Sequence, residues 1–133
     1  MKLGLDIHGV IDRLPVLAEL ATLLVSNGHE VHIITGAPWN SISDGNFSHD
    51  GIEEYLEKYG FIKDKNFTHF FSIVDYHREL GTEITCDANG CWLDSEKWNI
   101  AKSIYCTNNK IDLHLDDSIV YSKSFTTPFA LIV

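Results

Sequence analysis

Positive charge is scarce in this chain. Ten lysines and arginines stand against nineteen acidic residues among 133, giving a formal net charge of −9. A field of that sign repels polyanions and argues against a broad nucleic-acid-binding face. It leaves room for a small phosphorylated substrate, because one lysine and a divalent cation can reverse the field at a single site. Long apolar runs are also missing. No stretch approaches the ~20 apolar residues that span a bilayer, so no membrane association is expected. The first residues lack the basic segment, apolar run and small-residue cleavage site of a signal peptide, so the expected location is cytoplasmic. Cysteine is rare. Cys86, Cys91 and Cys106 are an odd number in a chain with no secretory signal, which reads as reduced, semi-buried thiols. Cys86 and Cys91 are close enough in sequence to share a metal, but no second cysteine pair follows.

What the chain does have is an alternation of strand and helix signals. Lys2 to Ile7 reads as a first strand. Pro15 to Ser26 reads as a helix, with Leu17, Leu20, Ala21, Leu24 and Val25 recurring at three- and four-residue steps, and Asn27-Gly28 ends it. Glu30 to Thr35 is a β-branched second strand. Gly51 to Tyr59 reads as a helix presenting Ile52, Tyr55, Leu56 and Tyr59. Phe67 to Val74 reads as a third strand. Ser95 is placed as the cap of a helix over Glu96 to Cys106, with Trp98, Ala101, Ile104 and Tyr105 facing inward. Ile111 to Leu115 and Phe129 to Val133 are the fourth and fifth strands. The order implies one α/β domain with a parallel sheet of about five strands. Two stretches are irregular: Ala37 to His49, and Asp75 to Asp94. The second contains a hairpin pattern, Glu83–Cys86 and Cys91–Leu93 around Asp87-Ala88-Asn89-Gly90, with Asn-Gly at the turn.

Four features fall at strand ends or a helix start. Asp6-Ile7-His8-Gly9-Val10-Ile11-Asp12 follows the first strand. Thr35-Gly36 ends the second. Lys97 lies in the first turn of the helix before the fourth strand, and Asp116-Asp117-Ser118 follows that strand. In a parallel sheet these ends face one edge, the edge where ligands of open α/β sheets bind. The mixture suits phosphoryl transfer. Charge on three phosphoryl oxygens must be met by cations and hydrogen-bond donors. Lys97 is a fixed cation, Thr35 and the backbone at Gly36 are donors, and Asp6 and Asp116 are hard oxygen ligands of the kind Mg²⁺ takes. Asp6 can then approach phosphorus, with an acid needed at the leaving oxygen.

The ordered set Asp6-x-x-Gly9, Thr35-Gly36, Lys97 and Asp116-Asp117 resembles the four motifs of the haloacid dehalogenase-like superfamily, mostly Mg²⁺-dependent phosphatases, over nearly the whole chain. The resemblance implies a single Rossmann-like domain over residues 1–133, with helices on both faces of the sheet. It implies phosphate monoester hydrolysis through a phospho-aspartate at Asp6, with Thr35, Gly36 and Lys97 on the phosphoryl group. Mg²⁺ would be held by Asp6, Asp116 and the backbone carbonyl of His8. The sequence departs from the family at His8, where the usual residue is a second aspartate serving as general acid. Histidine can transfer protons near neutral pH, and His8 is expected in that role. No room exists between Asp12 and Pro15 for a first cap insertion. By the resemblance, the hairpin within residues 76–94 would be a minimal cap at the second insertion point, so an open site is expected.

Competing readings stand beside these. Lys102 competes with Lys97; Lys97 is favoured because a lysine midway along the helix would be expected to point away from the sheet edge. Asp117 and Asp12 are expected to support the site from behind, Asp12 by ordering the Gly9 turn. Trp39 either flanks substrate or covers the core, and Trp92 and Trp98 read as core. His29, His32, His49, His69, His77 and His114 lack mutual metal spacing and read as surface or packed histidines. A different class also fits: a binding or regulatory domain that keeps the metal and phosphate pocket but turns over poorly. A receiver-like domain phosphorylated after the third strand, at Val74-Asp75, fits Thr35-Gly36 and Asp116-Asp117 badly. The substrate is a small phosphorylated molecule, with a phosphorylated nucleic-acid end left open.

Overall fold

A computed structural model describes residues 1–43 and 48–133, apart from the side chains of 48 and 49. The sheet has five parallel strands: β1 (Lys2–Leu5), β2 (Glu30–Thr35), β5 (His69–Ser72), β8 (Leu113–Asp116) and β9 (Phe129–Leu131), in the order β5-β2-β1-β8-β9. From β1 the chain first steps outward to β2 and β5. It then returns to add β8 on the other side of β1, so the strand order reverses between β1 and β8. Leu3 pairs with Val31 on one side and Leu113 on the other.

Helices cover both faces. On one face α1 (Val16–Ser26) and α2 (Glu53–Lys58) bury Leu17, Ala21 and Leu56 against Leu3, Leu5, Val31 and Ile33. On the other, α4 (Ser95–Asn108) packs Ala101 and Cys106 against Ile34, Phe71 and Ile111. Two-residue alternation along β2 sends Val31 and Ile33 to the first face and Ile34 to the second. Each fully buried Leu or Ile contributes about 1.5–3 kcal/mol of transfer free energy. Gly4 is where β1 cannot carry a side chain, since a Cβ there would lie 2.8 Å from both His114 Nδ1 and Ile34 Cδ1.

Several expectations are corrected. The third strand stops at Ser72, and Ile73–Glu79 is a helix, α3. The β-branched Ile73-Val74 reads as strand, but the Ser72 hydroxyl accepts the Asp75 N–H at 3.1 Å and caps a helix instead. The residue that caps α4 is Asp94, whose carboxylate accepts the Lys97 N–H, and Ser95 is the first helical residue. On α4, Ile104 faces solvent, and Lys102 and Ser103 are buried. Leu20 of α1 is also exposed. Trp92 is exposed, not core, and Trp39 packs edge-on against Phe70 and covers the core.

The hairpin is β6 (Thr85–Asp87) with β7 (Gly90–Trp92). Its two-residue turn is Ala88-Asn89, one residue earlier than Asn-Gly. Cys86 sits directly opposite Cys91, and the two form a disulfide, so the expected pair of free thiols does not hold. Facing residues on adjacent antiparallel strands are close enough to bridge. Cys106 is a free, buried thiol. The expected irregular stretch Ala37–His49 falls partly outside the described residues, as does the side chain of His49. Within the described part, β3 (Ile42–Ser43) pairs antiparallel with β4 (Ser48–His49). A short helix, α5 (Ile119–Ser122), follows β8. Among the described residues no helix is long and apolar enough to cross a membrane.

Candidate active site

The reversal point between β1 and β8 places two carboxylates side by side. Asp6 follows the last residue of β1, and its N–H donates to Leu115 O at 3.0 Å, which carries the strand pairing one step further. Asp116 ends β8. Its Oδ1 accepts the Ser118 N–H at 3.0 Å, and its Oδ2 accepts from His114 Nε2 at 3.0 Å. His114 is fully buried, and burial pulls its imidazole below the ordinary histidine range, against the pull of Asp116. It is therefore neutral, donating through Nε2. Its Nδ1 has no hydrogen-bond partner among the described residues.

Between the carboxylates lies Lys102, 1% exposed, with Nζ 2.7 Å from Asp116 Oδ2 and 3.1 Å from Asp6 Oδ1. The ring of Tyr121 covers the ammonium, its centroid 4.4 Å from Nζ. Tyr121 is held in turn by the Trp98 indole N–H, which donates to its hydroxyl at 2.9 Å. Burial works against the Lys102 charge, but Asp6 and Asp116 outweigh it and keep the amine above its ordinary value. Burial pushes Asp6 up, with Lys102 opposing. Burial also works on Asp116, but the His114 and Lys102 contacts prevail and hold it below the usual carboxylate range.

Lys97, expected here, does not line the site. It is exposed in the first turn of α4, beside a separate small depression with Thr82, Glu83 and Asp94. The reason is helix geometry. Trp98, Ala101, Lys102 and Tyr105 form the stripe at three- and four-residue spacing that faces the sheet. Helical side chains also lean toward the helix N-terminus. A lysine two turns into α4 therefore reaches back to the sheet edge.

The loop after β1, Ile7–Ile11, is a tight kinked turn. Gly9 has φ +78°, and a Cβ there would overlap the Asp117 carboxylate. Asp12 orders this turn. Its Oδ1 accepts the Gly9 N–H at 2.7 Å, and its Oδ2 accepts the Tyr55 hydroxyl at 2.8 Å and lies 3.4 Å from His8 Nδ1. Burial pushes Asp12 up, but these hydrogen bonds together, Tyr55 foremost among them, hold it below its ordinary value. The His8 side chain is 59% exposed, tilted against the Tyr55 ring. Asp6, Asp116 and Asp117 each offer a carboxylate oxygen, all within 4.8 Å of one another. These are hard oxygen donors of the type that Mg²⁺ takes, and the glycine opposite Asp117 leaves it room.

A cavity of about 740 Å³ opens over this group. Thr35, the last residue of β2, and Gly36 after it line the cavity. Gly36 lies against Trp98, whose Cζ2 a Cβ would approach to 2.5 Å. Ile52, Tyr55 and Lys58 line it from the α2 side, and Asn89, Gly90, Cys91 and Trp92 from the disulfide-closed hairpin. No protein-family model, curated protein or solved structure matches the chain. The site is therefore read from its own geometry. Sequence reasoning brought Asp6, His8, Thr35, Gly36, Asp116 and Asp117 to one strand edge, and all cluster there. It missed Tyr55, Trp98 and Tyr121, and it ranked Lys102 behind Lys97.

Proposed function

We propose that the chain is a phosphate monoester hydrolase of the haloacid dehalogenase-like type, Mg²⁺-dependent and acting through Asp6. One observation carries the reading. Asp6, Asp116 and a buried lysine converge at the reversal point of a parallel sheet, beside Thr35-Gly36 on the next strand and under an accessible cavity. Asp6, Asp116 and Asp117 would hold the metal, with the backbone carbonyl of His8 added by the resemblance. When bound, Mg²⁺ supplies positive charge to the phosphoryl oxygens.

The chain's own residues supply the rest. Lys102 holds the Asp6 carboxylate in place and adds a second positive charge, and Thr35 and the Gly36 backbone donate to phosphoryl oxygens. Asp6 Oδ attacks phosphorus. The phosphorus–ester oxygen bond breaks, and its electron pair leaves on that oxygen. His8, at the cavity rim with Nδ1 3.4 Å from Asp12 Oδ2, gives that oxygen its proton. Neutral His8 then takes a proton from water as the water attacks phosphorus, freeing phosphate and restoring Asp6.

The test is turnover of an aryl phosphate, with and without Mg²⁺, beside a panel of phosphorylated metabolites. Asp6→Asn should abolish turnover with the fold intact. His8→Ala should slow the first step most on esters with poor leaving groups and spare it on the aryl ester, where a burst of phenol should survive while steady-state turnover falls because His8 also activates the water. Retained activity in folded Asp6→Asn protein refutes attack by Asp6. A wild type that binds Mg²⁺ but hydrolyses nothing, and gains turnover as His8→Asp, supports a binding domain instead.

A further inference from the structure

The opposite end of the sheet carries a second group of ligating side chains, independent of the hydrolase reading. Glu30 is the first residue of β2 and His69 the first of β5, whereas the candidate active site lies at the other ends of the strands. His32 pairs in register with His69. The two imidazoles stack at 4.2 Å with 7° between their planes. Glu30, His32 and His69 each offer one ligand atom, all within 4.8 Å of one another.

The hydrogen bonds decide which ring nitrogens are free. The Thr68 hydroxyl donates to Val31 O and accepts the Val31 N–H, both at 3.0 Å. A hydroxyl has one donor and two acceptor sites. With the hydroxyl proton on Val31 O the remaining site accepts, and His69 Nδ1, 2.9 Å away, is then the protonated nitrogen. In neutral His69 the lone pair is therefore on Nε2. His32 is 1% exposed, with Nδ1 2.7 Å from the Tyr105 hydroxyl and Nε2 3.1 Å from Glu30 Oε2. Rotation of the Tyr105 hydroxyl lets its oxygen accept from Nδ1–H, which frees His32 Nε2 beside Glu30. An outer partner on the non-ligating nitrogen is what orients a metal-bound histidine. The only cation now on Glu30 among the described residues is Lys2, its Nζ 3.3 Å away and also donating to Asn109 O at 3.1 Å, a contact that an ion on Glu30 would displace.

We propose that Glu30, His32 and His69 form a metal site that takes a borderline divalent transition-metal ion, Zn²⁺ being the natural probe, through two imidazole Nε2 atoms and one carboxylate. Two imidazoles and a carboxylate suit Zn²⁺ and its neighbours far better than Mg²⁺. Ligands on a tetrahedral ion lie about 3.3 Å apart, a closure that requires the exposed His69 ring to tilt out of its stack on the buried His32. The ion would fasten β5, an edge strand, to β2.

The experiment is a Zn²⁺ titration of the tag-free full chain against a chromophoric chelator, with millimolar Mg²⁺ present to occupy the acidic cluster. One Zn²⁺ should bind per chain, and the thermal midpoint should rise with Zn²⁺. His69→Ala, at an exposed ring, and Glu30→Gln should each weaken binding at least about tenfold, since even outer partners of metal ligands cost that much. His29→Ala should leave it unchanged, although the Met1 amine and His29 Nδ1 lie 3.0 Å apart nearby. The proposal is overturned if wild type takes no Zn²⁺ against Mg²⁺, if His69→Ala binds as tightly as wild type, or if His29→Ala is the variant that loses it.

Discussion

Lys102→Met should separate the structural role of the buried ammonium from its role in the site. The substitution keeps the apolar stem and removes the charge, leaving two carboxylates in place, Asp6 10% and Asp116 0% exposed by side chain. Removing one partner of a buried ion pair costs about 3–5 kcal/mol, chiefly because the remaining charge is stranded. For a domain of this size that is a fall in Tm of roughly 10–20 °C, a large share of total stability. A divalent ion on Asp6, Asp116 and Asp117 would replace part of the lost positive charge. The deficit should therefore be largest in EDTA and should shrink with Mg²⁺. Urea unfolding followed by circular dichroism, in both conditions, measures it. Lys97→Met, on the exposed first turn of α4, should stay within about 0.5 kcal/mol of wild type. Lys102→Met with Asp116→Asn should be more stable than Lys102→Met alone, because one stranded charge is gone. The reasoning fails if Lys102→Met unfolds at the wild-type urea concentration, or if Mg²⁺ leaves its deficit untouched.

Three further outcomes follow from other parts of the molecule. Gly9→Ala forces a side chain into positive φ and against Asp117, so it should cost about 1–3 kcal/mol and weaken Mg²⁺ binding by calorimetry; an unchanged Mg²⁺ affinity would dissociate Asp117 from the metal. Cys86→Ser with Cys91→Ser opens a short loop and should cost about 2 kcal/mol in urea unfolding, while an unchanged midpoint would show that the bridge adds nothing. His77 is 7% exposed, and burial, then Lys97, hold its imidazole below the ordinary value. Its contribution is therefore full above pH about 6.5 and is lost as pH falls below that, where the unfolded chain takes up a proton that the folded one refuses. His77→Gln should flatten that part of the stability–pH curve, and an identical curve refutes the assignment.

The sheet was legible because its strands are bounded by turn residues and separated by helices with clear spacing. Glu30–Thr35 is read to the residue. The site's acids were legible because each follows an apolar strand. Lys102 was not, although the signal was present: Trp98, Ala101 and Tyr105 define the inward stripe, and Lys102 is the one charged residue that falls on it. Its place midway along the helix argues against it only until the backward lean and the reach of a lysine are counted. Helix α3 was missed because Ile73-Val74 looks like strand, yet Ser72 and Asp75 stand in capping register. The disulfide depended on strand register, and a one-residue change in the turn decides which side chains face each other.

The order of strands has a consequence for how the chain is made. β1 has two neighbours, β2 close behind it in the chain and β8 near the other end. At roughly 5–20 residues per second, translation leaves a delay on the order of 5–20 s between Asp6 and the arrival of Lys102 and Asp116. During that interval β1, β2 and β5 can assemble, and one edge of β1 stays open. An open apolar edge invites pairing with other nascent chains. Asp6 stands at its end, a carboxylate with water in place of its lysine, and a charge on a strand edge is a means of blocking such pairing. The residue proposed to do the chemistry in the finished protein thus stands guard over the unfinished one.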